Sequence, residues 1–193
     1  MRIGLGYDIH RFDNRRPLVL GGVRIPNARG LKGHSDADVL LHAIADALLG
    51  AGGAADLGEQ FPPGDARYRN ADSRSFVRAV YTGVRRRGWT VGNLDATVIA
   101  DTPHLTAYKA QMREVIGGLL DLDPSLVSVK AKTTEGFEPR SRGMAALAVV
   151  LLKKARGSPA RLQRSQPGRA GLRAQGRGRR AAQSPEPGAR SKR

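Results

Sequence analysis

Asp8 and His10 stand two apart in Tyr7-Asp8-Ile9-His10. On a β-strand, residues i and i+2 face the same side, so the pair projects a carboxylate and an imidazole into one space. Both groups are ligands for a divalent transition metal such as zinc. A second stretch runs His34-Ser35-Asp36-Ala37-Asp38-Val39-Leu40-Leu41-His42-Ala43-Ile44-Ala45-Asp46. It sets Asp38, His42 and Asp46 at i, i+4 and i+8, on one face of a helix. A histidine between two carboxylates suits a metal ligand supported from outside by its neighbours. The alternative is a polar stripe at a helix edge. The chain has 4 histidines, and His10, His34 and His42 all fall in these two stretches. Asp8, His10 and His42 together give three protein ligands, the number that a catalytic zinc site uses while its fourth position stays open.

Two further stretches carry chemistry. Lys130-Ala131-Lys132-Thr133-Thr134-Glu135 ends a strand with hydroxyls, a carboxylate and lysines. Hydroxyl and ammonium groups bind phosphate oxygens, and Glu135 suits a magnesium or manganese ion held between phosphates. The bland alternative is a solvated strand end. Asp56-Leu57-Gly58, followed by Phe61-Pro62-Pro63-Gly64-Asp65, is a Gly- and Pro-rich segment of the kind that covers a ligand, or else a plain connection. Gly4-Leu5-Gly6 is no dinucleotide fingerprint, because the third glycine is missing.

These residues must be positioned by a folded scaffold. Ile3 to Ile9 reads as a first strand. Leu18-Val19-Leu20, Gly21-Gly22 and Val23-Arg24-Ile25 read as a tight hairpin closed by Pro26. Ser35 or Asp36 is expected to cap a helix through Leu49 that Gly50 stops, and residues 52–69 are expected to be loop. A second helix starts at Asp72 or Ser73 and ends at Arg85-Arg86-Arg87-Gly88, with Phe76, Val77, Val80 and Val84 on one face. Thr90 to Ala100 reads as a strand, Leu105 to Leu120 as a helix, Val127 to Ala131 as a strand, and Ala145 to Leu152 as a buried strand. The order predicts an α+β fold, a two-layer sandwich with a mixed sheet and helices packed on one face.

Composition sets the boundaries. Residues 153–193 carry 13 basic residues and one acid, net +12; residues 1–152 carry 20 basic and 16 acidic, net +4. The expected organisation is a domain over 1–154 and a basic, disordered tail over 155–193, because a tail without large apolar residues after Leu172 buries too little to offset its ordering entropy. The arginines suit phosphate, so any nucleic-acid contact is expected only through the tail. There are no cysteines, which excludes a disulfide scaffold and thiolate zinc fingers. The longest apolar run, Met144 to Leu152, falls short of a membrane span. A cytoplasmic protein without membrane contact is expected.

The motifs, taken together and in order, resemble the 2-C-methyl-D-erythritol 2,4-cyclodiphosphate synthase family. The resemblance rests on Arg2 to His10, Gly21 to Pro26, His34-Ser35-Asp36-Ala37-Asp38, His42-Ala43 with Asp46 to Gly50, Ala71-Asp72-Ser73 and Lys130 to Glu135. It covers about residues 1–152. It implies a lyase of the non-mevalonate isoprenoid pathway that converts 4-diphosphocytidyl-2-C-methyl-D-erythritol 2-phosphate to the 2,4-cyclodiphosphate with release of CMP. It implies a homotrimer with active sites between neighbours, zinc on Asp8, His10 and His42, and a second cation, magnesium or manganese, at Glu135. His34 and Thr133 would polarise the phosphates. Ser35, Asp56 and Gly58 would hold the methylerythritol, with Phe61 and Asp65 in the covering segment. Ala100, Pro103, His104 and Leu105, with Lys132, would form the cytidine pocket, and Thr134 and Arg142 complete the substrate set.

The sequence departs from the family at two places. Pro103-His104 stands where the family has Pro-Lys, and 138–144 lacks the Glu-Gly that follows Gly143 in the family pattern. A reading from another class makes the domain a platform for a polyanion-binding arm. His42→Ala separates the two, because it would end turnover and leave polyanion binding untouched.

Overall fold

A computed structural model describes residues 1–137 and 142–155. The stretch 138–141, and the expected tail from Arg156 onward, lie outside the described residues.

Strand β1 spans Arg2–Leu20 and β2 spans Val23–Leu31. Gly21 and Gly22 turn between them with φ of 58° and 75°, and Leu20 pairs with Val23. Positive φ at both central residues is what a tight hairpin requires. The first strand is thus longer than its apolar core suggested. Pro26 does not close the hairpin but lies inside β2, where the register jumps between Leu18↔Ile25 and Pro17↔Arg29. Proline is tolerated there because β2 is an edge strand and Pro26 lies in a bulge of β2 itself.

Helix α1 covers Val39–Gly52 and is capped by Asp38 and Gly53, not by Ser35 or Asp36 and Gly50. Asp38 Oδ1 accepts the Leu41 amide at 3.0 Å, and Gly53 takes a φ of 67°. The segment 52–69, expected to be loop, holds a one-turn helix α2 at Leu57–Gln60 and a 3₁₀ turn at Ala66–Tyr68. Helix α3 spans Ser73–Arg86 behind the cap Asp72. Strand β3 (Trp89–Ile99), helix α4 (Lys109–Leu119) and strand β4 (Val127–Lys132) follow as a crossover unit, and β5 (Gly143–Lys154) completes the sheet.

The sheet order is β2-β1-β5-β3-β4. Only β3 and β4 run parallel, which makes the sheet mixed. The helix-facing side of β1 carries Gly4, Gly6, Asp8 and His10; Ile3, Leu5, Tyr7 and Ile9 point the other way and are exposed. A Cβ on Gly4 would meet the Ala47 carbonyl oxygen at 2.0 Å, and one on Gly6 the Ala43 carbonyl at 2.0 Å. The two glycines therefore let α1 lie directly on the strand. Four helical residues rise about 6 Å and two strand residues about 6.6 Å. The pairing of Gly4 with Ala47 and Gly6 with Ala43 thus keeps step, and His42, the residue before Ala43, reaches Asp8 with its side chain.

Candidate active site

Asp8 Oδ2 lies 2.9 Å from His10 Nε2 and 2.9 Å from His42 Nδ1, and the two ring nitrogens are 3.1 Å apart. These are three donor atoms in a near-equilateral triangle, one residue pair from β1 and one residue from α1. Zinc bonds near 2.0 Å in tetrahedral geometry put ligand atoms about 3.3 Å apart. The observed edges are slightly shorter, close to what a zinc ion held by these three residues would need. The group can hold a metal ion.

The site's own charges show why it suits one. Burial works to raise the pKa of Asp8, but hydrogen bonds and charge from His10 and His42 outweigh it and hold the carboxyl well below the usual range. Burial works to lower that of His10, but Asp8 beside it prevails and raises it. His10 Nδ1 donates to the Lys32 carbonyl at 2.8 Å. A carbonyl only accepts, so this bond aims Nε2 at the triangle.

Asp38 and Asp46 do not support His42 as their spacing suggested. Asp38 is fully buried and turns back to the hairpin, taking the amides of Gly21 at 2.9 Å and Gly22 at 2.6 Å. Asp46 accepts the Leu57 amide at 3.2 Å and so ties α2 to α1. The outer nitrogen of His42, Nε2, instead faces Ser73 Oγ at 2.9 Å and Ser35 Oγ at 3.1 Å.

A cavity of about 410 Å3 opens over the triangle. His34, Ser35, Asp56, Gly58 and Phe61 line it together with the three ligand candidates. The His34 loop is fastened from two sides. Arg16 donates to the carbonyls of Gly33, at 2.6 Å, and of Ser35, and the Asn70 amide donates to the His34 carbonyl at 2.7 Å. Asp56 caps α2 by accepting the Glu59 amide at 2.9 Å. Phe61, Tyr68 and Phe76 form an apolar wall, with Phe61 and Phe76 ring centres 4.8 Å apart. Tyr68 and Phe76 were not singled out in the sequence, where Phe76 reads simply as part of an apolar helix face.

The remaining candidates gather elsewhere. Asp65 does not line the cavity; it caps the 3₁₀ turn and pairs with Arg67. Ala100, Pro103, His104 and Leu105 follow β3, and Lys132, Thr133, Thr134 and Glu135 follow β4. The Ala100 amide donates to the Lys132 carbonyl at 2.9 Å. Asp101 joins the two loops, accepting from the Thr134 amide at 2.8 Å and its hydroxyl at 3.0 Å. Thr133 Oγ1 donates to Glu135 at 2.5 Å. The side chains of Lys132, Thr133, Glu135 and His104 are exposed. Arg142 is exposed, and its carbonyl accepts the Phe12 amide at 2.8 Å. In the sheet, β4 is three strands from β1, or about 14 Å at ordinary strand spacing. One chain therefore carries two clusters that it does not itself bring together.

A model of the YgbB family matches residues 1–153. The chain belongs to the YgbB family. It is similar to the 2-C-methyl-D-erythritol 2,4-cyclodiphosphate synthase of Listeria innocua, with 51% identity over 156 residues, 80% of this chain and 99% of that protein. A solved structure of 2C-methyl-D-erythritol-2,4-cyclodiphosphate synthase in a CDP-bound form matches with a TM-score of 0.74 and 36% identity, over 79% of this chain and 100% of that one. The bifunctional IspDF of Campylobacter jejuni matches with a TM-score of 0.76 and 44% identity, over 79% of this chain; this YgbB-family chain spans 42% of that longer protein. Among the described residues, no helix is long and apolar enough to cross a membrane.

Proposed function

We propose that this chain converts 4-diphosphocytidyl-2-C-methyl-D-erythritol 2-phosphate to 2-C-methyl-D-erythritol 2,4-cyclodiphosphate and CMP, a lyase reaction of the non-mevalonate isoprenoid pathway, in the cytoplasm. The observation that carries the reading is the Asp8–His10–His42 triangle on the floor of a cavity, in a chain half identical to synthases of that name. An oxygen of the 2-phosphate bonds to the β-phosphorus of the diphosphate, the bond from that phosphorus to the bridging oxygen breaks, and CMP leaves with that oxygen. No covalent enzyme nucleophile is needed, so holding two phosphates in line does most of the work.

Asp8, His10 and His42 would hold zinc, which supplies Lewis acidity and a fixed anchor for phosphate oxygen. Glu135 would hold a second cation, magnesium or manganese, against the diphosphate. His34 and Thr133 polarise the phosphates from opposite ends. Ser35, Asp56 and Gly58 take the methylerythritol, beside the Phe61 wall and the segment that ends at Asp65. Ala100, Pro103, His104, Leu105 and Lys132 take the cytidine, with Thr134 and Arg142 at its edge. His104 donates a hydrogen bond from an imidazole where the family has an ammonium group.

The assignment calls for a homotrimer in which a neighbouring subunit supplies the nucleotide cluster, because within one chain that cluster lies three strands away in the sheet. The exposed apolar stripe Ile3, Leu5, Tyr7 and Ile9 is what such an assembly would cover. The domain over 1–154 is proposed to carry the whole activity, with the segment 155–193 as the only part that would meet nucleic acid.

Phosphorus NMR of the full chain with zinc, magnesium and the diphosphocytidyl substrate tests the reading. A cyclic diphosphate with matching CMP is expected. A folded, zinc-loaded protein that yields neither product would remove the assignment.

A further inference from the structure

The outer face of His42 determines which of its nitrogens can meet a metal. Nε2 points away from the triangle into a pocket walled by Ser73, fully buried, and Ser35, nearly so. Ser73 Oγ lies 2.9 Å from Nε2, and Ser35 Oγ lies 3.1 Å from it. A serine hydroxyl has one proton to give. That of Ser73 is already committed, since Oγ donates to Asp36 Oδ1 at 2.5 Å. Asp36 is anchored for this task. Its Oδ2 takes the Ser73 amide at 3.1 Å, and its Oδ1 also takes the Asp38 amide at 3.2 Å. Ser35 Oγ accepts the Ala37 amide at 3.1 Å and sits 3.4 Å from Ser73 Oγ.

Counting hydrogens leaves one consistent arrangement. With its own proton spent on Asp36, Ser73 Oγ can only accept from His42. Nε2 must then carry a hydrogen, and on a neutral ring that leaves the Nδ1 lone pair for a metal ion held together with Asp8 and His10. We propose that Ser73 and Asp36 are positioning residues that fix the tautomer and ring angle of His42, through a chain running from Nε2–H to Ser73 to the Asp36 carboxylate. The inference deepens the metal reading of the triangle and rests on it. His10 has the same device in a different form, since a backbone carbonyl, that of Lys32, holds its Nδ1 hydrogen. The two serines and Asp36 come from the loop before α1 and the first residue of α3, so the register of three elements converges on one ring nitrogen. Outer partners of this kind are worth about 10–100-fold in metal affinity.

The test uses the full chain with zinc alone, in competition against a fluorescent chelator, and histidine-selective nitrogen NMR of the metal-free protein at alkaline pH. Wild type is expected to bind zinc and to show the His42 proton on Nε2. Ser73→Ala is expected to bind about 10–100-fold more weakly, and Ser73→Thr, which keeps the hydroxyl, to bind close to wild type. Ser73→Ala binding zinc as tightly as wild type would overturn the proposal, as would a wild-type proton on Nδ1. If wild type binds no zinc, the metal reading fails, and the tautomer in the NMR spectrum decides the inference by itself.

Discussion

Gly6 lies so close to Ala43 that a Cβ on the glycine would sit 2.0 Å from the alanine carbonyl oxygen and 2.5 Å from the Ala47 amide nitrogen. Both atoms are helix backbone, so no side chain can swing aside. Gly6→Ala must push α1 off β1, and overpacking of this kind costs about 1–3 kcal/mol. His42 is the helix residue before Ala43, so its Nδ1 moves away from Asp8. The variant is expected to unfold at lower urea concentration and to bind zinc more weakly. Unchanged affinity in a destabilised Gly6→Ala protein would show that the triangle does not depend on this contact.

His10 and Asp8 make metal binding a proton exchange. Burial lowers the His10 pKa, but the Asp8 carboxylate outweighs it, and the result lies above the ordinary 6.5. Without metal, the stability that the raised His10 value contributes is present below pH 6.5, while Asp8 stays ionised, and is lost as pH rises through the raised value. The proton it holds on Nε2 occupies a metal-ligand position. Zinc affinity is therefore expected to be level above the raised pKa and to fall about tenfold per pH unit below it. Titration calorimetry at pH 6, below the ordinary value, in two buffers of different ionisation enthalpy reads the released proton directly. A heat of binding that does not change with the buffer would contradict the exchange.

Asp38 holds the hairpin and the helix start together through three backbone amides, those of Gly21, Gly22 and Leu41. Its burial pushes its pKa up to about 6, against the pull of those amides. The folded state thus binds this proton more tightly than the unfolded chain does. The corresponding stability is present below the unfolded value of 3.8 and is lost as pH rises through about 6. Asp38→Ala leaves buried amides unpaired and removes a helix cap, which is expected to cost about 1–3 kcal/mol near neutral pH. The gap to wild type should be wider at pH 4.5 than at pH 7. Urea unfolding at both values checks it, and a gap that grows with pH would reverse the sign.

Asp38 also shows where the sequence is legible and where it is not. Spacing of two on a strand paired Asp8 with His10, and His42 joined them only because three of the 4 histidines fall in two short stretches, since both periods are local. The i, i+4 rule then put Asp38 beside His42. A cap residue escapes that rule, because its side chain turns back toward the free amides of the first turn. The true partners of His42 Nε2, Ser35 and Ser73, are 38 residues apart, and no periodicity links a loop serine to the first residue of a later helix. The same holds for Asp101, which ties the two loops of the second cluster. Gly4 and Gly6 act through a packing distance that only a helix lying on the strand reveals.

Leu5 tests the assembly. Ile3, Leu5, Tyr7 and Ile9 are 53–72% exposed in the single chain, and all stand on the face of β1 opposite Asp8 and His10. A continuous apolar stripe on an uncovered sheet face is costly in water and favours a partner. If that partner is two further copies, wild type should run at three times the 20.7 kDa chain mass in light scattering. Leu5→Glu places a charge in each contact and is expected to yield a folded monomer. Because Leu5 points away from the triangle, the monomer should still bind zinc. It should nevertheless release no CMP, since the cluster around Lys132 and Thr133 would no longer reach a neighbour's cavity. A wild-type monomer with full turnover would mean that one chain closes the distance by itself, and the shared site would have to be abandoned.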